Sequence, residues 1–327
     1  MARRLTYRRA ATVVAVALML ACAALLVACG GSPGSSGGSG IPGGSGDSNG
    51  GESTTSGPAY SVPGSVALVT FNEGAAQTGN ECAIDTSQLS QGVVGASARS
   101  DARLKFQVVK GEMSYNYDLP GDGTPIIVPI NMGDGPYTFR VMQNTSGNNY
   151  VELFSVIDNV NLSSETAPYL VPNVFVNYNE SSAVVAKARE LAQGAANQGD
   201  VVRNIYQWVV DNITYDHDKA AQLASATGYV PDPDATLAAG TGICFDYASL
   251  GAAMLRSLGI PCQVITGYVS PDDVYHAWNM VYIDGEWVSV EISIKPNSWT
   301  RVDLTFAASG AASTIGDGTS YTDRYTY

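Results

Sequence analysis

The chain has 327 residues, with 17 basic and 30 acidic side chains and a formal charge of −13. Arg3, Arg4, Arg8 and Arg9 stand in an opening segment that holds no acid and is expected to be removed, which leaves 13 basic against 30 acidic residues, or −17. That balance argues against binding nucleic acid or an anionic membrane face through a basic patch, and the length beyond the first ~60 residues suits two modest domains.

In chain order, the basic run from Arg3 to Arg9 precedes an apolar stretch, Ala11 to Val27, and then Leu26-Val27-Ala28-Cys29-Gly30. A basic n-region and an apolar h-region make a secretory signal, with a plain transmembrane helix as the alternative. Leu-Val-Ala-Cys resembles the bacterial lipobox, so residues 1–29 are expected to be a lipoprotein signal with Cys29 as the lipidated residue. From 30 to 58 nearly every residue is small or polar, a composition that cannot bury a core and behaves as a flexible tether. The protein is therefore expected outside the cytoplasm, tied to a bacterial membrane by lipid.

Residues 59–180 carry the signals of short strands: Ser65 to Phe71, Leu104 to Lys110, Met113 to Tyr117, Pro125 to Ile130, Tyr137 to Gln143 and Tyr150 to Val156. Leu104, Phe106 and Val108 point one way, as do Tyr137, Phe139 and Val141. Turn residues separate the strands, and a small antiparallel sandwich or partly open barrel is predicted. Asp118, Asp122 and Asp134 match no calcium-loop spacing and are assigned to turns.

Residues 181–327 change period. Ser181-Ser182 caps a helix to about Ala195, and Asp200 caps another on which Val201, Ile205, Trp208, Val209 and Ile213 line one face. From Cys244 a third helix is predicted through Leu258, stopped by Gly259-Ile260-Pro261. Cys244 thus sits at a helix start, where unpaired N–H groups and the dipole stabilise a thiolate and can hold an oxyanion. The alternative for a cysteine in an apolar helix is a buried structural residue.

Cys262 to Val269 and His276 to Ile283 read as strands, and Asp284-Gly285 is a strong hairpin signal. Pairing Ile283 with Glu286 puts Val281 opposite Val288 and makes His276 and Glu291 diagonal neighbours on one face, roughly 7 Å apart. Glu291 would then fix the tautomer of His276, which accepts the Cys244 proton. Singly, His276 is an ordinary core histidine and Glu291 a solvated strand charge; together with Cys244 they make a nucleophile, a base and an orienting acid. His217 is assigned to a helix-end surface, because two histidines and scattered aspartates give no zinc spacing, and neither metal nor cofactor is expected. A disulfide between Cys82 and Cys262 is possible in an exported protein, and two buried free thiols are the alternative.

Gly242-x-Cys244-x-Asp246-Tyr247-Ala248, then Gly259-Ile260-Pro261, His276-Ala277-Trp278-Asn279-x-Val281-Tyr282 and Gly285-x-Trp287-Val288 with an acid four residues after the tryptophan, resemble the bacterial transglutaminase-like superfamily over about Asp200 to Ser293. The resemblance implies an α+β fold with a papain-like core, Cys244 as nucleophile, His276 as base and position 291 as third member, where the family usually has Asp and this chain has Glu. It makes Gly242, Asp246, Tyr247 and Trp278 supporting positions, and Tyr215 and Asp216 a Tyr-Asp element near the site. Tyr117 to Gly123 is similar to the accessory β-region of secreted members. The expected function is a surface cysteine enzyme acting on amide bonds of a protein or peptide through a thioester, with water or an amine as acceptor; the alternative is a surface module that keeps the fold and only binds a protein.

Overall fold

The computed structural model describes residues 54–270, 273–288, 293–309 and 320–327. Cys29, the tether as far as residue 53 and Glu291 lie outside these residues. A short strand, β1 (Thr54–Ser56), comes first. Then follow β2 (Gln77–Gly79), β3 (Cys82–Asp85), β4 (Val93–Ala98), β5 (Leu104–Lys110), β6 (Met113–Leu119), β7 (Ile126–Pro129), β8 (Gly135–Ser146) and β9 (Asn149–Val160). They make two antiparallel sheets ordered β2-β3-β4-β7 and β6-β5-β8-β9. Leu104, Phe106 and Val108 share one core with Tyr137, Phe139 and Val141 and with Ile84, Val94 and Ala96 of the other sheet. The alternation of β-branched and aromatic residues has produced the expected sandwich. Ser65 to Phe71 is not a strand: Val66 and Val69, three residues apart, are buried, and the Val66 N–H goes to Glu180 Oε2 at 3.0 Å instead of to a ladder.

The second region begins with α1 (Ala183–Leu191) and α2 (Gln198–Asn212). The cap of α2 is Asn197, whose side chain accepts the Asp200 N–H at 3.0 Å; Asp200, expected as the cap, stands in the first turn. Val201, Ile205, Val209 and Ile213 are buried as the 3.6-residue period requires. Then come β10 (Thr214–Tyr215), α3 (His217–Leu223), α4 (Pro233–Ala239), β11 (Thr241–Gly242) and α5 (Cys244–Ser257). Helix α5 is buried from Asp246 to Ser257, on every side, and ends at Leu258 before Gly259 at φ 74°. After it, β12 (Cys262–Val269) and β13 (Val274–Tyr282) pair antiparallel, followed by β14 (Glu286–Val288), β15 (Ser293–Ile294), β16 (Trp299–Val302), α6 (Leu304–Ala308) and β17 (Tyr321–Thr326).

The expected hairpin across Asp284-Gly285 does not form a ladder. β13 is flanked by β12 and β16, with Val281 opposite Thr300, in the order β16-β13-β12-β17. β14 turns away to pair with β1 and β15, so Thr55 faces position 287. The segment ahead of residue 59, expected as tether, supplies this strand, and the Thr55 hydroxyl donates to Asp200 Oδ1 at 2.7 Å. The edge of β13 expected for β14 is taken by β16, and β14 pairs with β1 from far earlier in the chain.

The two regions pack on each other. Tyr325 and Tyr327 at the end of the chain pack edge-on against Tyr115 of the sandwich, and Phe175 packs on Phe245 beside the cysteine. Arg256, wholly buried in α5, donates through Nε to Cys262 O at 2.8 Å, through Nη1 to Val171 O at 3.0 Å and through Nη2 to Tyr327 O at 2.9 Å. Cys82 and Cys262 are free thiols in separate cores, so the disulfide is not made. Arg256→Ala leaves three carbonyls without their donor in a closed interior and is expected to cost about 3–5 kcal/mol, measured as the shift in the urea unfolding midpoint at constant slope.

Candidate active site

The site is built where α5 starts. Thr214 and Tyr215 pair in parallel with Thr241 and Gly242, which fixes the approach to Cys244. Asp246 is fully buried, and its Oδ2 accepts the Ile243 N–H at 2.8 Å. Gly242 is required by this bond: a Cβ there would come within 2.6 Å of the Asp246 Cβ. The same carboxylate receives Lys219 Nζ at 2.7 Å on Oδ2 and the Tyr229 hydroxyl on Oδ1. Tyr247 is buried and donates from its hydroxyl to Ile213 O at 2.7 Å, tying the first turn of α5 to the end of α2.

Cys244 is partly exposed, whereas His276 is 5 % exposed and Asp303 is fully buried. His276 Nε2 lies 2.8 Å from Asp303 Oδ2. With Nε2 committed, Nδ1 is the ring nitrogen left for its hydrogen bond with Cys244. Burial would lower the His276 pKa, but the charge and hydrogen bond of Asp303, followed by Cys244, outweigh it and push the imidazole up to about 10. The ring is stacked on Phe306, with centroids 4.6 Å apart and planes at 14°, and lies beside Trp278 at 6.2 Å.

Asp303 directly follows Val302, the partner of Asn279, and is the N-cap of α6: its Oδ1 accepts the Phe306 N–H at 3.0 Å. The Tyr321 hydroxyl of β17 donates to Oδ2 at 2.9 Å. The group that orients His276 among the described residues is thus Asp303, 27 positions on and just past the end of β16, while the expected acid, Glu291, lies outside those residues. The sequence held one signal of Asp303: Trp299 to Val302 reads as a strand after the Lys295-Pro296-Asn297 turn, and an aspartate before Leu304-Thr305-Phe306 is a helix cap.

The remaining expected positions divide. Trp278 is buried between His276 and Tyr321, its ring 4.8 Å from the tyrosine. Gly267, opposite His276, has no room for a side chain: a Cβ would lie 2.1 Å from Thr322 O and 2.8 Å from the Trp278 ring. Tyr215 is near Cys244, and burial first, then the charge of Cys244, raises its pKa. Asp216 caps α3, accepting the Lys219 N–H at 2.8 Å, so its part is structural. His217 is exposed, with its ring 5.0 Å from that of Tyr215. Among the described residues no cluster of His, Cys, Asp and Glu is placed to hold a metal ion.

Residues 185–292 match the Transglutaminase-like superfamily. Cytokinesis protein 3 of Schizosaccharomyces pombe is 33 % identical over 120 residues, which is 32 % of this chain and 12 % of that protein. Kyphoscoliosis peptidase of Mus musculus is 31 % identical over 112 residues, 31 % of this chain and 16 % of the mouse protein. Both curated relatives are thus matched over less than a fifth of their own length. The crystal structure of red sea bream transglutaminase aligns at 13 % identity and a TM-score of 0.27, over 65 % of this chain and 48 % of that one.

Two outcomes are expected. Asp303→Asn should slow alkylation of Cys244 by iodoacetamide by about 10²-fold or more, because the amide holds the imidazole in the wrong tautomer; Glu291→Gln should leave the rate within a few-fold. His276 has a folded pKa of about 10 against 6.5 unfolded, so the stability it adds is complete below pH 6.5 and is lost as the pH rises through 10. The unfolding free-energy difference between wild type and His276→Gln, followed across that window, should shrink with rising pH; a constant difference would show that the imidazole is not charged in the fold.

Proposed function

We propose that this chain, whose residues 185–292 belong to the transglutaminase-like superfamily, is a cysteine enzyme that breaks amide bonds through a thioester. One observation carries the proposal: a partly exposed cysteine at a helix start is hydrogen-bonded to a buried imidazole whose other nitrogen is held at 2.8 Å by a buried carboxylate. Cys244 and His276 rest as a thiolate–imidazolium pair, the Cys244 proton already carried by the imidazole, and Sγ attacks the amide carbonyl. Asp303 keeps the ring oriented and stabilises the imidazolium. The oxyanion is met by first-turn N–H groups of α5, which a helix leaves without intrahelical acceptors. Ile243 is not among them, because Asp246 takes its N–H. Collapse of the intermediate breaks the C–N bond, the amine leaves with the proton from His276, and Cys244 holds the acyl group as a thioester.

Water as acceptor completes a hydrolysis, and a primary amine completes a cross-link. Similarity to a peptidase supports the hydrolytic course, and water needs no binding slot. The substrate in this proposal is a protein or peptide at the cell surface, a reading that the likeness of Leu26-Val27-Ala28-Cys29 to a bacterial lipobox supports. Hydroxylamine added to enzyme and a mixture of surface proteins should trap the acyl group as a hydroxamate, which mass spectrometry locates. Cys244→Ala is expected to abolish the product, and a variant that still formed it would sink the proposal. Metabolic labelling with a fatty acid, lost in Cys29→Ala, tests the anchor separately.

A further inference from the structure

Beyond the Cys-His-Asp set, a second charged group is built into the same helix end. Asp246 stands two residues after Cys244, in the first turn of α5, fully buried. A carboxylate there has two opposed effects. Its bond to the Ile243 N–H at 2.8 Å shapes the turn that presents the sulfur. Its charge, however, occupies the positive end of the helix and repels both a thiolate at Cys244 and the oxyanion that follows. The chain answers with a cation from a different element. Lys219 of α3 places Nζ 2.7 Å from Asp246 Oδ2 and 4.8 Å from the centre of the Tyr229 ring, while the Tyr229 hydroxyl closes on Oδ1. Lys219 and Tyr229 lie ten residues apart in sequence, on α3 and on the stretch before α4, and meet on the one carboxylate.

We infer that Lys219 is a positioning residue for the thioester chemistry: by neutralising Asp246 it leaves the helix end free to stabilise negative charge on Cys244, and with Tyr229 it clamps the 217–232 segment beside the nucleophile. The inference rests on the proposed function, since it assigns a role within that reaction. The other titratable groups around the pair are His276 from β13, held by Asp303; Tyr215 from β10, with Asp216 next to it; and Tyr247 on α5. Of these, only His276 can bring positive charge, and that charge is already matched by Asp303. Lys219 is therefore the cation set against Asp246.

The test is the pH–rate profile for alkylation of Cys244 in the full chain, read by mass spectrometry. Lys219→Met is expected to move the rising limb up by about one pH unit and to slow the reaction roughly 10-fold near neutrality, while the rate at high pH stays close to wild type. Lys219→Arg, which keeps the charge, should restore most of the neutral rate. Lys219→Met combined with Asp246→Asn should bring the limb back toward the wild-type position, because the uncompensated charge is gone. A purely structural lysine would give lower rates at every pH, no rescue by arginine and no recovery in the double variant, and any of these overturns the inference. A wild-type Cys244 that reacts no faster than a free cysteine would overturn the proposed function and this inference with it; a fast Cys244 whose profile ignores Lys219 overturns the inference alone.

Discussion

The rest of the structure answers to one constraint, the burial of α5 around its whole circumference. A helix apolar on one stripe needs one partner, but a helix buried on every face needs cover from all sides and an internal partner for each polar group it carries. The polar side chains of α5 show where that cover comes from. Asp246 takes Lys219 and Tyr229 from the α3–α4 segment, and Ser249 donates to Phe175 O at 2.5 Å, at the edge of the sandwich region. Arg256 joins β12, the Val171 carbonyl and Tyr327. Asn279 of β13 closes the remaining side by donating to Ala248 O at 2.9 Å. These bonds tie the helix that carries the nucleophile to its neighbours from several sides.

The same economy governs the imidazole. Asp303 receives three donors: His276 Nε2, the Tyr321 hydroxyl and the Phe306 N–H. One residue is therefore helix cap and orienting acid together, and the short helix that it starts lays Phe306 flat against the histidine ring. Placing the acid at the junction of a strand and a helix fixes it from both sides, where a carboxylate in mid-strand would be steered by its rotamer alone. The aromatic wall of Phe306, Trp278 and Tyr321 strengthens the electrostatic pull of Asp303 on the imidazole by keeping water away from it.

Local chemistry made the two reacting side chains legible in the sequence, and long-range pairing hid the third. Cys244 could be placed because glycines before it, a 3.6-residue stripe after it and Gly259-Ile260-Pro261 at the end all describe one helix. His276 stood out as one of two histidines, on a strand of clear period. Asp303 was hidden because the chain beyond Asp284-Gly285 pairs with Thr54–Ser56, some 230 positions earlier, and only later returns to β13 as Trp299–Val302. No rule of hairpin geometry contains that strand exchange. For the same reason β1 was taken for tether: three residues of Thr and Ser have no period of their own. The sheet formed by β5, β6, β8 and β9 was readable because its strands alternate, whereas β2 to β4 are short and interrupted by Gly and Ala.

The sandwich region carries none of the reacting groups, yet the site depends on it. Phe245, the residue after the nucleophile, rests on Phe175 with ring centres 5.4 Å apart, and Phe175 in turn meets Tyr117 at 5.8 Å and Tyr327 at 4.6 Å. Tyr117 is on β6, and Tyr327 follows the strand that delivers Tyr321 to Asp303. A continuous set of aromatic contacts thus runs from the first turn of the cysteine helix, through the sandwich, to the strand that supports the acid. Centroid separations of 4.6–5.8 Å lie in the range where aromatic pairs attract beyond their area burial. The β-region is therefore packed against both halves of the site, the start of α5 and the β17 support of Asp303.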